Sequence, residues 1–85
     1  MSDPLPARDA VVPYIGERAT DLFSRAVLGG DVGEPELTEA ERLLIVWGSS
    51  IGGANVSIDD AALENTFSAP LRASLLALAV ELKRA

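Results

Sequence analysis

The sequence predicts an all-α fold, a small bundle of about four helices that associates as a dimer. Three observations carry that expectation. Apolar residues recur every three or four positions over residues 12–26 and 71–82, the period of a helix with one buried face. Helix-capping residues, Asp9, Thr38, Asp59 and Ser68, stand just ahead of the apolar runs, where N-caps belong. Residues 43–47 and 71–82 together hold more apolar surface than a small bundle readily covers, so part of it is expected to be shared with another chain. The competing expectation is an α+β fold with a hairpin over residues 42–58.

Before the first helix, residues 1–8 hold Pro4, Pro6 and mixed charges without a period, which reads as a flexible tail ahead of a single helical domain over 9–85. Asp9 is a candidate first cap. Val12, Ile15, Ala19, Leu22, Phe23 and Ala26 then form one stripe, with Asp21 and Arg25 spaced for an i,i+4 pair on the outer side. Pro13 is the awkward residue, because inside a helix it removes one hydrogen bond and kinks the chain. The helix therefore starts at Asp9 with a kink, or at Pro13 itself. Gly29-Gly30 ends it.

Thr38 with Glu41 three positions on is a capping-box pattern for a second helix. The run Leu43-Leu44-Ile45-Val46-Trp47 that follows is apolar on every side, and its period alone fits a buried strand, with residues 54–58 as partner, as well as a helix. The cap favours the helix. Gly48, Gly52 and Gly53 either end this element or admit another backbone. Ser57 or Asp59 caps a short third helix through Ala61, Ala62, Leu63 and Glu64. Ser68 caps the last, with Pro70 in its first turn. Leu71, Leu75, Leu78 and Leu82 form its apolar seam, widened by Leu76, Ala79 and Val80, and Lys83 and Arg84 complement the dipole at its end.

Size and composition bound the function. For 8.9 kDa the surface scaling lets about 63% of the unfolded surface be buried, one modest core. Seven Lys and Arg against thirteen Asp and Glu give a net charge of −6, which disfavours phosphate backbones and anionic membranes as partners. Cysteine and histidine are both absent, excluding disulfides, thiolate catalysis, Cys/His zinc sites and imidazole acid–base chemistry. The uncharged stretch 43–58 is glycine-broken and shorter than the about 20 residues of a membrane span. With an acidic, proline-punctuated start and no leader pattern, a cytoplasmic protein is expected.

Local patterns that suggest chemistry do not survive inspection. Gly48-Ser49-Ser50-Ile51-Gly52 matches the nucleophile-elbow spacing, but that motif needs a histidine and a sheet. Ala54-Asn55 follows Gly53 where a phosphate loop needs Lys-Ser/Thr. From Asp31, calcium-loop positions 3, 5 and 12 fall on Gly33, Pro35 and Arg42, so no EF-hand forms. Asp59, Asp60 and Glu64 read as helix-start acids. No catalytic residue, cofactor or metal ligand is assigned.

What remains is surface. The expected function is a non-catalytic protein-interaction module, an adaptor, inhibitor or chaperone-like subunit. Leu71, Leu75, Leu78 and Leu82, with Leu43, Val46 and Trp47, are expected to form the core and a homodimer or partner interface. Glu34, Glu36, Glu39 and Glu41 are expected to form an acidic rim for a basic partner. A structural subunit of a larger assembly, such as a phage or virus-like particle component, is the alternative. A small apolar ligand beside Trp47 is a second.

Overall fold

A glycine, not a proline, shapes the first helix. The computed structural model describes residues 6–33 and 36–84, and α1 spans Pro6–Val27 with one non-helical residue inside it, Gly16 (φ 86°, ψ 166°). That conformation belongs to a region essentially closed to residues with a Cβ. Pro13 stays within the helical segment before the break. In a straight helix Arg8 and Asp21 would lie about 20 Å apart along the axis, yet Arg8 Nη1 meets Asp21 Oδ1 at 2.9 Å. The two segments therefore fold back toward each other. The bend also gives Asp21 this partner in place of the expected Arg25.

The break resets the helical phase, so the stripe expected through residues 12–26 is two stripes. Ala7 and Val11 are buried in the first segment, with Ile15 half-buried, whereas Ala19, Leu22, Phe23 and Ala26 are buried in the second. Val12 is only half-buried. Helix α1 is already under way at Pro6, the first described residue and ahead of the expected Asp9, and proline is tolerated in a first helical turn. Of the tail expected over 1–8, residues 1–5 lie outside the described residues. At the bend the buried Thr20 hydroxyl donates to the Gly16 carbonyl (2.7 Å), which satisfies the one buried polar side chain among the described residues. The C-terminus closes as expected: Gly29 (φ 78°) and Gly30 donate to the carbonyls of Ala26 and Arg25, the Schellman pattern.

Helix α2, Glu39–Ile51, settles the helix-or-strand question at 43–47. Thr38 and Glu41 form the capping box reciprocally, at 3.0 and 2.9 Å. The glycines that follow serve a close crossing. A Cβ on Gly48 would lie 2.9 Å from the Phe23 carbonyl oxygen, and one on Gly52 would collide with the Val27 carbonyl. The backbones of α1 and α2 thus approach closer than side chains permit, and the nucleophile-elbow spacing is a helix contact.

Helix α3, Asp60–Thr66, is capped by Asp59, which accepts from the Ala62 N–H (3.2 Å). Helix α4, Ala69–Arg84, starts with the Leu71 N–H donating to the Ser68 hydroxyl (3.3 Å). No strand occurs among the described residues. Helix α1 packs against both α2 and α4. Between them lie Val11, Phe23, Leu44, Leu75 and Leu78, essentially without exposed surface, and the Phe23 and Trp47 rings meet at 5.7 Å, tilted 54°. Lys83 reaches the last carbonyl of α2, Ile51 (3.1 Å), placing a cation at the negative end of a neighbouring helix rather than only its own.

Replacing Gly16 with alanine is expected to cost about 1–3 kcal/mol, read as a lower urea midpoint at unchanged slope. Stabilisation, the usual result of Gly→Ala inside a regular helix, would show that α1 runs straight.

Candidate functional site

The structure divides the apolar residues expected at an interface into two groups. Leu75 and Leu78 are fully enclosed and Trp47 is 8% exposed. Leu71 and Leu82 are half-buried against the same core. These five belong to the protomer's own core or pack on it. Leu43 and Val46 line a surface groove between α2 and α3, and Leu71 also lines a second one, at the start of α4. The seam on α4 was legible as an apolar face, but a face pattern does not say whether its own chain or another covers it. Leu76 and Val80, expected to widen the seam, point away from it and are 46% and 55% exposed. Only Ala79 joins the core.

The groove lies between α2 and α3 and encloses about 570 Å³. On α2, Glu39, Leu43 and Val46 follow one another at i, i+4 and i+7, which keeps them on one side of the helix. Asp59, Ala62 and Thr66, at i, i+3 and i+7, share one side of α3 and its cap, and Ser57 also lines the groove. Ala40, Leu43, Val46 and Ala62 make an apolar floor of half-buried side chains. Glu39, Arg42 and Asp59 stand exposed around it. Half-buried Ile58 packs on the core and anchors the loop, while Val56 is left 43% exposed nearby in sequence. Asp59 already accepts a capping hydrogen bond, and the other lining groups are aliphatic side chains, hydroxyls, one carboxylate and one guanidinium. The arrangement offers shape and charge rather than an acid–base pair.

The described acids of the expected rim fall in two places: Glu36 and Glu41 line one groove with Arg18, and Glu39 lines the α2–α3 groove. Glu34 lies outside the described residues. Glu39 faces the groove, but Glu41, two positions on, is turned about 200° around the helix. There Glu41 accepts from the Thr38 N–H and from Arg18 Nε (2.9 Å). Arg18 also donates to the Glu36 carbonyl, so one arginine ties the loop before α2 to α1. The Thr38 backbone hydrogen bond, then the Arg18 charge and hydrogen bond, hold the Glu41 carboxyl below the ordinary glutamate range against a desolvation effect of opposite sign. Among the described residues no cluster of three or more metal-ligating side chains occurs.

Trp47 meets Phe23 in a tilted ring pair inside the core. A second groove, of about 530 Å³, runs between the first segment of α1 and the start of α4, with Asp9, Pro13, Tyr14, Pro70 and Ser74 among its walls. Tyr14 is 77% exposed there. No described helix is long and apolar enough to cross a membrane. No protein-family model, curated protein or solved structure matches the chain.

Two measurements check this placement. Leu75→Ala is expected to cost about 2–5 kcal/mol, as for a fully buried leucine, whereas Leu76→Ala stays within about 0.5 kcal/mol; equal costs would put both on one face. For Glu41 the folded-state pKa lies below the unfolded one, so its contribution is complete above the unfolded value and lost as pH falls through the folded value. Thermal melts of the wild type should therefore weaken on acidification through that window. Glu41→Gln should melt lower at neutral pH and show a flatter acid limb.

Proposed function

We propose that this chain is a non-catalytic protein-interaction module that takes an apolar side chain of a protein partner into the α2–α3 groove. The observation that supports it is the pairing, in one concavity, of an aliphatic floor with an exposed charged rim. Leu43 and Val46 lie side by side beneath Glu39, Arg42 and Asp59. An apolar anchor in a pocket with polar groups around its edge is the usual anatomy of a binding hot spot.

Charge favours a basic partner. The net charge is −6, and four of the seven cations are engaged within the protomer: Arg8 with Asp21, Arg18 with Glu41, Arg72 with the Phe67 carbonyl and Lys83 with the Ile51 carbonyl. Salt bridges remove cations and carboxylates in equal number, so the long-range field keeps the sign of the net charge, which raises the encounter rate with a positive surface and lowers it with a negative one. An adaptor or inhibitor of a basic protein is the role this supports.

Val46 is the residue to test, since its side chain lines the groove without belonging to the core cluster. In affinity capture from extract of the source cells, a partner held by the wild type should be lost with Val46→Asp. The melting temperature should change by no more than about 3 °C, as for a surface substitution. Retention of the same partner by the folded variant would remove the groove from the function.

A further inference from the structure

We propose that the outer face of α4 joins two copies of this chain, with the two α4 helices antiparallel and a two-fold axis between Leu76 and Ala77. This is a different surface from the α2–α3 groove and stands independently of it. At about 100° per residue, Ala69, Ala73, Leu76, Ala77, Val80 and Arg84 share the side of α4 opposite Leu75 and Leu78. Leu76 and Val80 are roughly half exposed, and the three alanines are exposed. The other helices present charge outward: Glu17, Asp21 and Arg25 on α1, Glu39 and Arg42 on α2, Asp60 and Glu64 on α3. Helix α4 carries no charge from Ala73 to Val80.

Two properties point to a second copy as the occupant, and a third sets the strength of the contact. The first is steric. Antiparallel pairing about that axis sets Val80 against the second copy's Ala73 and Leu76 against its Ala77, a large side chain facing a small one at each level. Alanines at such positions let helices approach to about 8 Å. The second is electrostatic. The pairing carries Arg84 toward the start of the second copy's α4, where Asp9 shares a groove with Ser68 and Pro70. Two chains of net charge −6 repel at a distance, and this uncharged face with a cation at one end is where that repulsion is least.

The third is area. Leu76 at 46% and Val80 at 55% exposure, with the three exposed alanines, amount to a patch of roughly 300–400 Å². Joining two such patches hides on the order of 700 Å², below the size of a standard stable interface, so the association is expected to be weak and reversible. By contrast, the leucine seam expected to pair two chains is covered by the protomer's own core.

Sedimentation equilibrium over about 1 µM to about 1 mM covers the range for such a contact. The mass should rise from 8.9 kDa toward twice that value. Val80→Lys should weaken association at least about tenfold with an unchanged melt, while Val46→Asp should leave it intact. The chain contains no cysteine, which makes cross-linking clean. An oxidised mixture of Ala73→Cys and Val80→Cys chains should form the mixed disulfide dimer in preference to either self-linked one. A wild type that stays monomeric across the range would overturn the proposal. A dimer indifferent to Val80→Lys, or one that links Val80→Cys chains to each other, would equally overturn it.

Discussion

The bend at Gly16 is the constraint on which the remaining structure depends. It turns one 22-residue helix into two arms, with the second crossing α2 and both available to enclose α4. A straight α1 would be about 33 Å long, and a chain of 85 residues has nothing else to cover Val11 and Ala7 on its first arm. The Arg8–Asp21 pair and the hydrogen bond from the Ala7 N–H to Glu81 (3.4 Å) form only because the arms converge. These contacts lie at partly exposed positions and contribute little individually. The enclosure of Val11, Phe23, Leu75 and Leu78 is the larger gain.

A second constraint follows from the size of the chain. Four short helices cannot all bury broad faces, so the packing economises on distance. Gly48 and Gly52 bring α2 onto the carbonyls of Phe23 and Val27, and Trp47 then fills the space beside Phe23. Caps hold the ends: Thr38 with Glu41, Asp59, Ser68, and the Gly29-Gly30 turn. Two more cations act across elements, Arg18 on the loop before α2 and Lys83 on its final carbonyl. The seven-residue α3 packs lightly on α2, and the α2–α3 groove exists because so short a helix cannot cover the flank of its neighbour.

The two surfaces left over differ in kind. The groove is concave, floored by Leu43 and Val46 and edged by charge, which suits an inserted side chain selected by its electrostatic surroundings. The outer side of α4 is uncharged from Ala73 to Val80, which suits a flat helix contact held mainly by burial with a cation at its edge. Both arise because an apolar segment, 43–47 or 71–82, surrounds its helix more completely than the core requires.

The number and nature of the helices were legible in the sequence, because each depends on local chemistry: the capping box at Thr38, the caps at Asp59 and Ser68, the glycine pair after Leu28. The 43–47 run was ambiguous by periodicity and was resolved by its cap. The bend was not legible, since Pro13 carries the familiar signal for a kink, while a lone glycine within an apolar pattern does not reveal a positive φ. From that one omission came the wrong partner for Asp21 and the unrecognised burial of Ala7 and Val11. The candidate site was legible only in pieces. Leu43, Val46 and Glu39 were named, but so were Leu75, Leu78 and Trp47, and nothing local separates a residue facing its own core from one facing a partner. The sequence by itself determined helices, caps and charge, which depend on neighbours within a few positions. Tertiary structure alone decided which side of each apolar helix stays open, because that depends on how far the bent arm of α1 and the short α3 extend over the rest.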